Sequence, residues 1–130
     1  MGRHYYGDIE GKFWFAVQSS NDGEFFGATC SAIDYSVNDI EEVEEGIKKC
    51  HIALGNNLAR LDDFFNSKKG RHKDEMIIDW WEEKYSITLT SQEIRRMLEW
   101  YARLALGKQI FEYMSSEECD GGACFFSATL

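Results

Sequence analysis

An apolar stripe through the centre of the chain constrains its fold more than any other feature of the sequence. Apolar side chains recur there in steps of three and four residues: Ile40, Val43, Ile47, Cys50, Leu54, Leu58, Leu61 and Phe65. This spacing places them on one face of an amphipathic helix of about seven turns. Asn38 followed by Glu41 resembles a capping box at its start. Gly46 and Gly55 disfavour helix, so we expect a kink or break near Gly55.

Two further helices are predicted in the second half of the chain. Asp74 to Tyr85 is rich in apolar and aromatic residues that suit a packed helix. Thr90 with Glu93 fits the capping-box pattern and opens a third helix, which we expect to end near Met114. Three charged residues spaced four apart form a ladder that we place on the solvent side of this helix: Arg95, Glu99 and Arg103.

The segments on either side of the helical region have the composition of strands. Lys12 to Gln18 and Ala28 to Val37 are two candidates separated by turn-forming residues, and Ala123 to Leu130 is a third. We therefore predict an α+β fold of order β-β-α-α-α-β. In it, three helices pack on a small antiparallel sheet made of the N-terminal hairpin and the C-terminal strand. The length of 130 residues fits a single domain over residues 1–130.

The charge and hydropathy of the chain limit its partners. A net charge of −9 repels bulk nucleic acid and anionic membranes, and it suits a basic protein surface or simple solubility. No stretch approaches the ~20 apolar residues that cross a bilayer. The opening residues lack the apolar run of a signal peptide, so we expect a cytoplasmic protein. The long apolar stripe suits packing within the chain or across a homo-oligomer.

The reactive residues do not form a recognisable catalytic or metal-binding motif. The four cysteines, which we expect to be reduced in the cytosol, are Cys30, Cys50, Cys119 and Cys124. Their spacing is irregular for zinc even with His51 included, so we predict no metal and no cofactor. The sequence has no P-loop, dinucleotide fingerprint, nucleophile elbow or zincin motif. Runs of paired carboxylates are typical of solvated helix faces, and no catalytic residue is assigned.

The stretch from Gly2 to Phe15 is the strongest candidate for a binding site. It places cationic and aromatic side chains among glycines, which let a backbone approach a ligand closely. Arginine and aromatic rings suit a base or a phosphate. The alternative is a structural segment whose tyrosines cover the core. The predicted ligand-binding residues are Arg3, Tyr5, Tyr6, Asp8, Lys12 and Trp14.

The opening MGRHYYGDIEGKFWFAVQSS, with EFFG after it, resembles small uncharacterised proteins of phages and large DNA viruses. These proteins open with an MGR-x-Y-x-GDI-x-GKFWF pattern, and the resemblance covers about the first 27 residues. The family brings no established activity and no catalytic residues. The resemblance implies a viral setting in the cytosol of a host cell, where small accessory proteins often blunt a host defence.

Three functions follow from these observations. The first is a non-enzymatic binding protein that sequesters a nucleotide-like anionic small ligand as a counter-defence. The second is an acidic inhibitor of a host protein, in which the segment from Asp39 to Glu45 meets a basic surface. The third is a small hydrolase that acts on a nucleotide through Asp8 or a nearby carboxylate.

Overall fold

The computed structural model describes residues 4–13, 18, 22–31, 33–67, 74–117, 119 and 122–128. Within these residues the fold is α+β, with four α-helices and one antiparallel sheet of five strands, and this confirms the predicted class. The strands are β1 (His4–Gly7), β2 (Gly11–Lys12), β3 (Thr29–Ser31), β4 (Asp34–Val37) and β5 (Cys124–Ala128). The helices are α1 (Ile40–Leu54), α2 (Asn57–Ser67), α3 (Asp74–Tyr85) and α4 (Ser91–Met114).

The C-terminal strand lies at the centre of the sheet. The strand order is β2-β1-β5-β4-β3, so β5 joins the first hairpin to the second. Tyr6 of β1 pairs with Ser127, and Ser36 of β4 pairs with Phe125. The prediction that a terminal strand ties both ends of the chain into one sheet is therefore confirmed.

The N-terminal strands differ in detail from the prediction. Ala28 to Val37 is not one strand, because β3 and β4 form a hairpin in which Thr29 pairs with Ser36. The strand predicted from Lys12 to Gln18 is β structure at Lys12 but not at Phe13, and residues 14–17 lie outside the described part of the chain.

The predicted central helix is two helices, and the break lies where glycine disfavours helix. Gly55 has φ 53°, a left-handed conformation that glycine adopts readily, and its N–H donates to His51 O at 2.9 Å. The predicted break near Gly55 is thus confirmed. The N-cap is Asp39 rather than Asn38, because Asp39 Oδ1 accepts from the Glu41 N–H at 2.9 Å.

The third and fourth helices begin where the sequence predicts. Thr90 caps α4: its Oγ1 accepts from the Glu93 N–H at 3.2 Å, and Glu93 Oε1 accepts from the Thr90 N–H at 3.3 Å. This confirms the capping box. The bounds of α3, Asp74 and Tyr85, also agree with the prediction. None of the described helices has the length and apolar character of a bilayer-spanning segment.

Arg103 of α4 is not on the solvent side, and this part of the predicted charged ladder is wrong. Its side chain is only 14% exposed, and its Nε donates to Asp22 Oδ1 at 2.7 Å. Asp22 opens a short 3₁₀ helix, Asp22–Phe26. The guanidinium carbon lies 4.5 Å from the ring centroid of Trp100 and 4.9 Å from that of Phe25. Arg103 therefore links α4 to the 3₁₀ helix through an ion pair with Asp22 and a cation–π contact with Phe25.

Candidate ligand-binding groove

The alternation of side chains along the strands gives the sheet one buried face and one open face. Tyr5, Tyr35 and Phe126 are buried and join the core cluster shared with the helices. The residues between them face the other way. A groove of about 540 Å³ lies on this open face. Its lining includes Tyr6, Thr29, Asp34, Ser36, Phe125 and Ser127.

Two exposed aromatic rings line the groove. Tyr6 is 49% exposed and Phe125 is 55% exposed. Tyr6 pairs directly with Ser127, and Phe125 lies two residues before Ser127 on the same face, so the two rings are diagonal neighbours on adjacent strands. Exposed aromatic side chains on an open sheet suit a planar ligand ring, because every nucleobase has a π-face that can stack on them.

The β4 side of the groove is polar. Asp34 pairs with Ser127 in the sheet register, and Ser127 Oγ donates to Asp34 Oδ1 at 2.5 Å. A carboxylate has about four lone-pair sites, so this bond leaves acceptor capacity on Asp34. Thr29 and Ser36 bring two more hydroxyls to the lining. The polar side of the groove can therefore hydrogen-bond the edge of a ligand.

The β2 edge of the open face carries one lysine and one histidine beside a glutamate. His4 and Lys12 are exposed cross-strand partners in the first hairpin. They line a second hollow of about 500 Å³ together with Glu10 and Tyr6, and Tyr6 also lines the groove. The two depressions are therefore neighbours that share one aromatic residue. Lys12 supplies a local positive charge in a chain whose net charge is −9.

Asp8 lines the groove and hydrogen-bonds the backbone of the neighbouring strand, β5. Its N–H donates to Phe125 O at 2.8 Å, and its Oδ2 accepts from the Phe125 N–H at 2.9 Å. Both backbone polar groups of Phe125, its N–H and its carbonyl, are thus hydrogen-bonded to Asp8. This arrangement fixes the position from which the Phe125 ring projects into the groove.

The structure separates the residues that the sequence grouped. Tyr6 and Asp8 line the groove and Lys12 lines the adjoining hollow, whereas Arg3 and Trp14 lie outside the described residues. Tyr5 is 7% exposed, its hydroxyl donates to Gln109 Oε1, and burial raises its pKa. The ring centroid of Tyr5 lies 5.0 Å from that of Phe13 and 6.0 Å from that of Phe126. Tyr5 therefore fits the structural alternative, in which a tyrosine covers the core.

Sequence reasoning missed Phe125 and Asp34. Both lie in segments with strand composition, and the alternation of apolar and polar residues in Cys124–Ala128 marks Phe125 as an outward aromatic. No local signal connects them to Tyr6, because Phe125 lies more than 100 residues away along the chain. The pairing of β1, β5 and β4 brings the three together.

Burial raises the pKa of Tyr35, which lines the groove, and the pKa values of two buried thiols. Burial and the neighbouring Cys30 thiol raise the pKa of Tyr35 to about 12. Burial raises the pKa of Cys50 to about 11 and of Cys124 to about 12. Both buried thiols therefore stay protonated at neutral pH. Within the described residues, no three His, Cys, Asp or Glu side chains cluster closely enough to hold a metal ion.

No protein-family model, curated protein or solved structure matches the chain. The resemblance of the first residues to phage and viral proteins stays a prediction.

Proposed function

We propose that the protein is a non-enzymatic binding protein that captures a nucleotide-like anionic small ligand in the groove. The observation that carries the proposal is the pair of exposed rings, Tyr6 and Phe125, on an open sheet face that also carries hydroxyl groups and the Asp34 carboxylate. A base that stacks on such rings gains about 1–3 kcal/mol for each stacking contact. The hydroxyls and the Asp34 carboxylate then hydrogen-bond the edge of the base.

The hydrogen-bond donors of Lys12 and His4, in the hollow beside Tyr6, support an anionic ligand. Lys12 and His4 lie next to the aromatic platform, where a phosphate attached to a stacked nucleoside would reach them. Lysine acts on a phosphate as a point charge that donates hydrogen bonds. The groove therefore combines a surface for a ring with a charged group for a phosphate.

The net charge favours a small ligand over a long nucleic acid. A protein with net charge −9 repels each further phosphate of a nucleic-acid strand. A single nucleotide, in contrast, needs only the local positive charge of Lys12. In a host cell such a protein would lower the free concentration of a nucleotide signal by binding it. This is the counter-defence role that the resemblance to viral proteins implies.

Calorimetry with mononucleotides tests the proposal. We expect Tyr6→Ala and Phe125→Ala each to weaken binding roughly 5- to 150-fold, the equivalent of one lost stacking contact. Ile52→Ala is the control, because Ile52 is 82% exposed on α1 and does not line the groove. Absence of binding, or equal affinity in all variants, would contradict the proposal. Recovery of a cleaved nucleotide after incubation would instead favour the hydrolase.

A second candidate function is inhibition of a basic host protein by the start of α1. Four exposed carboxylates lie within the first two turns: Glu41, Glu42, Glu44 and Glu45. Such a surface attracts a positively charged partner, and salt screens the attraction. Affinity for a host partner that falls with ionic strength, and with the double variant Glu44→Lys and Glu45→Lys, would support this function.

A further inference from the structure

We infer that the groove selects guanine among the nucleobases, and that Asp34 makes the selection by accepting hydrogen bonds from the edge of the base. This inference rests on the proposed nucleotide binding and names the ligand class for that site. Asp34 is a carboxylate acceptor placed beside an aromatic platform. An ionised carboxylate only accepts hydrogen bonds, and its two oxygens can accept from two donors side by side.

The sheet register places Asp34 at the edge of a base stacked on Phe125. Phe125 pairs with Ser36, and Asp34 lies two residues before Ser36 on the same face of β4. Asp34 and Phe125 are therefore diagonal neighbours, at about 7–8 Å between backbone positions and less between side chains. A ring lying on Phe125 consequently presents one edge to the Asp34 carboxylate.

Ser127 orients the carboxylate. Its hydroxyl donates to Asp34 Oδ1 at 2.5 Å, from the position directly opposite on β5. A side chain held by such a bond loses less conformational freedom when it binds a ligand. Asp34 is therefore arranged as an acceptor before a base arrives.

Guanine is the base whose pairing edge complements two adjacent acceptors. Its N1–H and N2–H₂ donors lie side by side. Adenine and cytosine each place a ring-nitrogen acceptor next to the amino group, and uracil places carbonyl oxygens on both sides of its N–H. Each of these acceptors would face a carboxylate oxygen, and two acceptors that face each other make no hydrogen bond and repel. Hydroxyls such as Thr29 and Ser36 can donate or accept, so the discrimination falls on Asp34.

The order of the strands matches the order of groups in one nucleotide. From β4 to β2, the open face presents Asp34, Phe125, Tyr6 and Lys12 in turn. With strands about 4.8 Å apart, His4 and Lys12 lie about 10–14 Å from Asp34 measured across the sheet, and two residues further along the strands. The base edge, base, ribose and phosphate of a guanosine monophosphate would follow the same sequence across the sheet.

Calorimetry with guanosine, inosine and adenosine monophosphates tests the inference. We expect guanosine monophosphate to bind roughly 5- to 150-fold more tightly than the adenosine nucleotide, as for one bidentate contact to a base. Inosine monophosphate, which lacks the N2 amino group, should fall between them. Asp34→Asn should abolish the preference, because an amide presents one acceptor and one donor in place of two acceptors. Asp79→Asn removes the same charge from an exposed position on α3 and should keep the preference.

The possible outcomes separate this inference from the proposed function. Equal binding of the three nucleotides, lost on Phe125→Ala, would overturn guanine selection and leave nucleotide binding in place. A guanine preference that survives Asp34→Asn would overturn the role of Asp34. Absence of binding by all three would overturn the proposed function and the inference together.

Discussion

The ring of Phe26 lies so close to Gly107 of α4 that a Cβ atom on this glycine would stand 2.4 Å from Phe26 Cε1. On the other side, a Cβ atom on Gly46 of α1 would stand 2.6 Å from Phe26 Cδ1. The ring is fully buried between these two helices. Both glycines therefore have a packing role, although glycine inside a helix costs about 1 kcal/mol relative to alanine.

Gly107→Ala should destabilise the protein, whereas the same change in an open helix would stabilise it. Overpacking a core in this way costs about 1–3 kcal/mol, and urea unfolding measures it. Phe26→Leu in the same chain should recover part of the loss by making room for the methyl group. Lys108→Ala, at the next and exposed position, should change stability by less than about 0.5 kcal/mol. A Gly107→Ala protein more stable than the parent would contradict this packing.

The ion pair between Arg103 and Asp22 should contribute strongly to stability because both side chains are largely removed from water. Their exposures are 14% and 3%. Asp22→Asn removes one of the two anionic partners that the described residues give the guanidinium and leaves Glu99, and breaking a buried pair costs about 3–5 kcal/mol. Urea unfolding at low and high salt should show a large loss that salt changes little.

The exposed pair Lys84–Asp63 provides the matched control for that prediction. Its atoms are 3.7 Å apart, and its side chains are 46% and 53% exposed. Asp63→Asn should therefore change stability by at most about 1 kcal/mol. Equal effects of Asp22→Asn and Asp63→Asn would show that burial of the Arg103 pair adds nothing to stability.

The helices could be predicted because their signals are local. Thr90 and Glu93 lie three residues apart and satisfy each other's hydrogen bonds, and Gly55 acts through its own backbone. In the stripe from Ile40 to Phe65, an apolar residue recurs every three or four positions, once in each helical turn. The burial of Arg103 could not be predicted in the same way, because its partner Asp22 lies 81 residues away on another element.

The groove could be predicted only in part because it is formed by strand register. The sequence pointed to Tyr6, Asp8 and Lys12, which lie in one short segment rich in aromatic and charged residues. The sequence pattern does not mark His4–Gly7 as a separate strand, since four residues ending in glycine carry little alternation. Phe125 and Asp34 join Tyr6 only when β5 pairs between β1 and β4, and no local pattern encodes that pairing.

The fully buried Cys50 thiol should make the protein less stable in alkaline solution. Burial raises the pKa of Cys50 from 9.0 to about 11, although the charge of Arg103 opposes the shift. Above pH 9 the unfolded chain releases this proton while the folded protein keeps it. The stability that the buried, protonated Cys50 thiol contributes is therefore fully present below pH 9 and is lost as pH rises from 9 to about 11.

Unfolding free energies of the parent and of Cys50→Ala, measured between about pH 7 and 10, test the linkage. Cys50→Ala lowers stability at neutral pH by leaving a cavity, so the informative quantity is the slope with pH. The variant should show the shallower fall above pH 9. Identical slopes would mean that the thiol ionises equally in the folded and unfolded states.

Asp8 should act by positioning Phe125 through a hydrogen bond rather than by its charge. Asp8→Ala removes the acceptor of the Phe125 N–H, bonded at 2.9 Å, and should lower the free energy of unfolding by about 1 kcal/mol. It should also weaken nucleotide binding, because the ring of Phe125 loses its fixed position. Asp8→Asn retains a carbonyl oxygen at the same place and should restore both stability and binding. An asparagine variant as defective as the alanine variant would show that the carboxylate charge is required, and would favour direct contact between Asp8 and the ligand.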